Sequence, residues 1–136
     1  MRYFVLLLAV VLLTGSCGKK VEQMQLDALM DLIINGQWKV SSFQKGSENV
    51  TSQFADYRFQ FKKDETVDAI KNGMVEKTGT WIGNATDRTI QSSFGAAAVP
   101  LSLLNGTWFV SNTSTTFVEA SQDRGGEKLL LRLDKL

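Results

Sequence analysis

Residues 57–62 read Tyr57-Arg58-Phe59-Gln60-Phe61-Lys62, so that aromatic and polar side chains alternate strictly. Alternation with a period of two is typical of a β-strand with one buried face and one solvated face. Residues 38–42 show the same pattern more briefly, with Trp38, Val40 and Ser42 on one face. These two runs predict a sheet whose inner face carries large aromatic side chains.

Further segments have the composition of strands and are separated by short turn sequences. Asn72-Gly73 is a strong hairpin signal, and residues 123–126 form a second turn signal. In total we expect about eight strands, at 38–42, 57–62, 66–70, 74–82, 89–94, 107–112, 116–120 and 128–133. Their short spacing predicts an all-β antiparallel sandwich or barrel. Residues 95–104, which contain Pro100, are compatible with three interpretations: a loop, a short helix or a lid.

The segment before the strands has helical periodicity. Apolar side chains recur at i, i+3 and i+4 spacing within residues 21–34, at Val21, Met24, Ala28, Leu29, Leu32 and Ile33. Asn35-Gly36 is a helix-stop signal. We therefore expect one N-terminal helix over 21–34 that packs its apolar stripe on the core.

The N-terminus has the three regions of a secretory signal. Arg2 precedes an apolar run over residues 4–13, and small residues follow it. This run is too short for a transmembrane helix, which needs about 20 residues. We expect residues 1–16 to be a signal peptide.

The end of this signal, Leu13-Thr14-Gly15-Ser16-Cys17, resembles the lipobox of bacterial lipoproteins. The resemblance implies cleavage before Cys17, a diacylglyceryl group on its thiol and a further acyl group, such as palmitate, on its amine. Residues 17–20 would be the lipidated cysteine and its tether, and 21–136 the folded domain. The implied location is outside the cytoplasm, anchored to the cell membrane or outer membrane, with the periplasmic face favoured.

Composition narrows the classes of function. The 15 Lys and Arg residues nearly balance 14 Asp and Glu residues, which argues against a nucleic-acid partner. Histidine is absent and Cys17 is the only cysteine, so we expect no catalytic residues, no metal site and no cofactor. Asp64, Glu65 and Asp68 are interpreted as a solvated hairpin rather than a carboxylate dyad or a calcium site. We do not expect an enzyme.

The tripeptide Gly-x-Trp occurs three times, at residues 36–38, 79–81 and 106–108, and contains every tryptophan of the chain. Asn35 and Asn105 precede two of the copies. A glycine permits a tight turn or a close approach of backbone, and the tryptophan then places a large ring inward. We interpret the motif as a strand start.

Residues 34–136 are similar to the lipocalin-like domains of small lipoproteins from Bacteroidetes-type bacteria. The similarity is carried by residues 35–40, 57–64, 79–81 and 129–133. It implies a small up-and-down barrel in which Trp38 packs near the closed end. It also implies a basic side chain from the last strand over that ring, for which Arg132 is the natural candidate through a cation–π contact.

Small eight-stranded barrels either fill their interior or hold one small ligand. The favoured function is non-catalytic binding of a small lipophilic molecule, with residues 94–104 as a portal or lid. The alternative is a filled barrel that acts as a protein–protein interaction module or inhibitor in the cell envelope. The candidate ligand contacts are Trp38, Tyr57, Phe59, Phe61, Trp81 and Trp108.

Overall fold

The computed structural model describes residues 27–28 and 30–136. The predicted signal peptide (1–16), Cys17 with its tether (17–20) and the first part of the predicted helix (21–26) lie outside the described residues. Residues 27–28 and 30–34 are helical, and the helix ends before Asn35 and Gly36, the predicted stop signal. Within the described ranges, no helix has the length and apolar character needed to cross a membrane.

Each predicted strand is present, and one short strand is added. The strands are β1 (Trp38–Lys45), β2 (Glu48–Asn49), β3 (Tyr57–Phe61), β4 (Thr66–Lys71), β5 (Met74–Asn84), β6 (Thr89–Ser93), β7 (Gly106–Thr113), β8 (Phe117–Arg124) and β9 (Glu127–Lys135). Two 3₁₀ helices, Thr51–Phe54 and Leu101–Leu104, lie in the connections. The short β2 pairs with the end of β1 as a hairpin.

The sheet closes on itself. Each strand from β3 to β8 pairs antiparallel with the next, β3 pairs with β1, and β9 pairs with β1. The result is an eight-stranded, up-and-down antiparallel barrel, and the all-β prediction with one N-terminal helix is confirmed. We call the end where β1 begins and β9 finishes the helix end, and the other end the far end. The turns after β3, β5 and β7 also lie at the helix end.

Aromatic rings fill much of the interior. The rings of Phe43 and Phe54 stack with centroids 5.3 Å apart, and Trp108 meets Phe43 edge-on at 5.8 Å. Phe43 faces inward because the pairing of β1 with β9 shifts between Val40 and Ser42. The sequence expectation that Ser42 shares the face of Trp38 is therefore wrong, since a β-bulge reverses the alternation after it.

The connection between β6 and β7 contains both a loop and a short helix. Leu101, Leu103 and Leu104 of the 3₁₀ helix are buried, as is Phe94 at the start of the segment. The Asn105 side chain joins the two ends, accepting a hydrogen bond from the Phe94 N–H at 2.6 Å and donating one to the Gly95 carbonyl at 3.0 Å. The segment thus packs its apolar side chains into the core at the far end.

Candidate functional site: an apolar pocket in the barrel

All three tryptophans are buried, and each indole N–H donates a hydrogen bond to a backbone carbonyl. The acceptors are Ile33 for Trp38 at 2.8 Å, Lys62 for Trp81 at 3.1 Å and Leu104 for Trp108 at 2.9 Å. A buried indole N–H needs such a partner. These rings therefore hold strands to neighbouring segments as part of the scaffold.

Two of the Gly-x-Trp copies form the same local structure. In both, a helical segment ends and an Asn-Gly pair follows. The indole N–H of the tryptophan then donates a hydrogen bond to a backbone carbonyl of that helical segment. Gly36 and Gly106 have φ of 91° and 111°, which favours glycine. The shared sequences Ile33-Ile34-Asn35-Gly36 and Leu103-Leu104-Asn105-Gly106 are the signal that could have revealed this repeat.

The basic residue over Trp38 is Lys135, not Arg132. Lys135 Nζ lies 5.1 Å from the centroid of the Trp38 ring and donates to the Leu32 carbonyl at 3.1 Å. Arg132 lies instead on the outer wall, 4.3 Å from the centroid of Phe117, and pairs with Glu119 at 2.7 Å. The predicted cation–π contact over Trp38 is therefore present and comes from the last strand, but Lys135 makes it instead of Arg132.

An apolar pocket of about 50 Å³ lies inside the barrel. Its walls come from strands β3, β4, β6, β7, β8 and β9 and from both ends of the segment that follows β6. The lining residues are Phe59, Phe61, Val67, Ile90, Ser92, Phe94, Leu104, Trp108, Val118, Ala120, Leu131 and Leu133. Ser92 is the one polar residue among these twelve, and its hydroxyl is hydrogen-bonded to the Leu104 carbonyl. The described wall therefore offers apolar contact and no charge.

The six predicted ligand-contact residues separate into two groups. Phe59, Phe61 and Trp108 line the pocket. Trp38, Tyr57 and Trp81 face inward but are not among its lining residues. The alternation in β8 and β9, which places Val118 and Ala120 beside Leu131 and Leu133, could have identified the opposite wall.

Tyr57 occupies a separate cleft of about 180 Å³ at the far end, between β5 and the segment after β6. Its hydroxyl is hydrogen-bonded to the Glu76 carboxylate. Burial, together with that hydrogen bond, raises the pKa of Tyr57 to about 12. The phenol therefore stays protonated over the usual pH range, as suits a donor to a carboxylate.

The partly exposed apolar residues of the pocket lining lie toward the helix end, and we take them as the mouth of the pocket. Phe61, Ile90 and Leu133 are partly exposed, and each lies near a strand terminus at the helix end. Phe94, Leu104 and Trp108 are buried and form the base. Phe94 and Leu104, the two ends of the segment that we expect to be a portal or lid, therefore cover the other end of the pocket.

The titratable groups with shifted pKa values lie outside the pocket lining. Asp68 is buried, although its neighbours Val67 and Ala69 are the inward residues of β4. Its carboxylate pairs with Lys62 Nζ at 2.7 Å and accepts a hydrogen bond from the Thr78 hydroxyl at 2.7 Å, and both contacts lower the pKa of Asp68. Asp68 is thus more enclosed than a solvated hairpin predicts. Over the described residues, no cluster of three or more His, Cys, Asp or Glu side chains could hold a metal ion.

The chain matches no protein-family model and no curated protein. Its fold is similar to the crystal structure of a duf4847 family protein from Bacteroides vulgatus ATCC 8482, with a TM-score of 0.53 and 15% sequence identity. The match covers 78% of this chain and 96% of that chain. At this identity the similarity supports the fold alone. The class that fold and site define is a closed β-barrel with an apolar interior.

Proposed function

We propose that this chain is a non-catalytic binding protein that holds a small lipophilic group in the barrel. The observation that carries the proposal is the apolar wall of the pocket, which excludes a charged ligand because an unpaired buried charge is costly. Ser92 is the one polar lining residue, and its hydroxyl already has a partner. The lipocalin-like resemblance of residues 34–136 agrees with this function.

The pocket volume limits the ligand. Pockets for drug-sized molecules measure about 300–1,000 Å³, and an engineered apolar cavity of about 150 Å³ binds benzene. A pocket of about 50 Å³ accepts only a narrow group, such as the end of a hydrocarbon chain. The partly exposed Phe61, Ile90 and Leu133 at its mouth would contact the part of the ligand that stays outside.

The experiment compares the native and denatured masses of a soluble version spanning residues 18–136, after expression in the periplasm. We expect an added mass that disappears on denaturation. Ala120→Leu fills the pocket and should abolish it, whereas Ser121→Leu adds the same side chain to the outer wall of the same strand and should retain it. Equal native and denatured masses for the unaltered chain, repeated with added long-chain fatty acid, would overturn the proposal.

The second part of the proposal is that Cys17 anchors the chain to a membrane as a lipoprotein. The support is the lipobox-like sequence over residues 13–17. Cys17→Ser removes the thiol that would be acylated, so we expect the full chain to lose the lipid mass. A variant that remains membrane-bound at the processed mass would contradict the anchor.

The alternative, an interaction module in the cell envelope, is favoured by one observation on the outer wall. Phe109 and Leu130 are 49% and 46% exposed, and both are register partners of Ser121, so they flank it on the outer face. Exposed apolar side chains in one row are typical of contact surfaces. If no ligand mass is found, Phe109→Ser with Leu130→Ser should abolish a complex that the unaltered chain forms with an envelope protein.

A further inference from the structure

We infer that the helix end of the barrel faces the lipid bilayer and that the pocket receives the end of an acyl chain from a bilayer lipid. The inference rests on the proposed function and names the source of its ligand. It follows from two observations, which are the point where the chain enters the barrel and the size of the pocket.

The described chain begins at the helix end. Trp38, Lys135 and Gln60 bond to carbonyls of Ile33, Leu32 and Ile34, which fixes the helix against this end of the barrel. Cys17 lies ten residues before Asp27. An extended chain spans at most about 3.6 Å per residue, so an anchor at Cys17 keeps Asp27, where the described part of the helix begins, within about 36 Å of the membrane. The pocket mouth lies at this same end.

The pocket is too small to enclose a lipid. About 50 Å³ takes only the end of a chain, so most of the apolar surface of a ligand remains outside. In water the exposure of that apolar surface is unfavourable. A lipid that stays largely within a bilayer avoids this cost. The small volume therefore favours a bilayer source over a dissolved ligand.

Exposed apolar side chains lie at both ends of the barrel, so those near the helix end are compatible with a bilayer contact there but do not select it. Ile82 is 52% exposed near the end of β5, and Phe109 pairs with Thr89, the first residue of β6. Leu136 is 53% exposed, and its N–H is bonded to the Gln37 carbonyl beside the start of β1. These side chains would enter the interfacial region of a bilayer.

The charges in the helix-end turns are mixed in sign. Lys63 lies beside Asp64 and Glu65 after β3, and Asp87 lies beside Arg88 after β5. Because the signs alternate, the contact should depend on apolar burial more than on anionic lipid. Vesicles of zwitterionic phosphatidylcholine are therefore the appropriate probe.

The test uses the full, lipidated chain in phosphatidylcholine vesicles whose lipids carry a photoreactive diazirine at the end of one acyl chain. Flotation first establishes that the protein is vesicle-bound. Cross-linked residues are then mapped by proteolysis and mass spectrometry. We expect labels on Phe61, Ile90, Leu133 and Trp108. Ala120→Leu should reduce labelling of Trp108 at least fivefold, and Ser121→Leu should leave it unchanged.

A second variant keeps the test informative if Ala120→Leu does not fold. Leu133→Ala widens the mouth and should increase labelling of Trp108, with folding of both variants checked by thermal unfolding. Labels on Met74, Val75 and Val99, which are exposed at the far end, would overturn the orientation. Labels confined to Ile82 and Phe109, or no labels, would overturn uptake into the pocket.

Free photoreactive fatty acid separates this inference from the proposed function. If the dissolved fatty acid labels Trp108 and the bilayer lipid does not, the pocket binds lipophilic ligands but does not draw them from the membrane. If neither probe labels the pocket, the proposed function fails as well.

Discussion

At the level of single residues, the three Gly-x-Trp glycines have different roles. Gly36 and Gly106 adopt positive φ at the entry to β1 and β7. Gly79 does not adopt positive φ. Its lack of a side chain instead lets the end of β6 and Phe94 approach the backbone of β5 closely. A Cβ at Gly79 would lie 2.4 Å from the Ser93 carbonyl oxygen and 2.8 Å from Phe94 Cδ1. One sequence motif therefore meets two separate backbone requirements.

We predict that Gly79→Ala destabilises the barrel by about 1–3 kcal/mol, the usual cost of overpacking. The new methyl group would meet a backbone oxygen, which cannot move aside as a side chain can. The matched control is Gly83→Ala on the same strand, where a Cβ would lie 3.6 Å from Trp81 Cζ3, an ordinary contact. Urea unfolding measures both variants. An equal loss of unfolding free energy in Gly79→Ala and Gly83→Ala would contradict the interpretation that Gly79 permits close approach.

Asp68 predicts an acid dependence of stability. Lys62 and Thr78 lower its pKa in the folded protein, so Asp68 contributes stability above the ordinary pKa of about 3.9 that is lost as pH falls through the lower folded value. Asp68→Asn should therefore lower the free energy of unfolding at neutral pH and flatten its fall below about pH 4. Asp123→Asn, at an exposed position near the end of β8, is the control. If the free energy of unfolding of Asp68→Asn falls with pH in parallel with that of the unaltered chain, this role is contradicted.

At the level of elements, the strands could be predicted because alternation and turn signals are local. Residues 57–62 and Asn72-Gly73 became a strand and a hairpin turn as expected. The β-bulge before Ser42 could not be predicted, because it depends on the register with β9. The burial of Asp68 likewise depends on Lys62 and Thr78, which lie on or beside other strands.

Residues 94–104 show why an irregular segment is harder to interpret. Its apolar content indicated a portal or lid, but only tertiary contact shows that Phe94 and Leu104 line the far end of the pocket. Asn105 fixes the segment with two hydrogen bonds, to the Phe94 N–H and the Gly95 carbonyl. Because Asn also suits the position before a strand-entry glycine, this second role of Asn105 could not be predicted from the sequence.

We predict that Asn105→Ala destabilises the chain by about 1–3 kcal/mol, because it leaves the Phe94 N–H without its partner. Asn112→Ala, on the exposed part of β7 at the helix end, should change stability by less than about 0.5 kcal/mol. Urea unfolding and amide exchange at Phe94 and Gly95 test this. Unchanged exchange at both amides would contradict the assigned role.

At the level of the whole molecule, the barrel is closed unevenly. β1 pairs with β9 from Trp38 to Lys45, but it pairs with β3 only through Trp38 and Phe59. Toward the far end, the 3₁₀ helix Thr51–Phe54 packs on β1 beside this open part of the seam. The closure of β1 on β9, like the pocket itself, joins segments far apart in sequence, which local patterns do not encode.

The seam between β1 and β3 should be the first part of the barrel to open. Backbone groups with a partner on one side only are less protected than those of β8, which pairs along its length with both β7 and β9. We therefore predict faster amide exchange for residues 55–61 than for residues 118–124. Phe54→Leu removes the ring that stacks on Phe43 and should accelerate exchange in β1 and β3 more than in β8. Phe109→Leu, an exposed ring on the outer wall, is the matched control and should leave the pattern unchanged. Uniform exchange around the barrel, before and after Phe54→Leu, would mean that the seam is as stable as the rest of the wall.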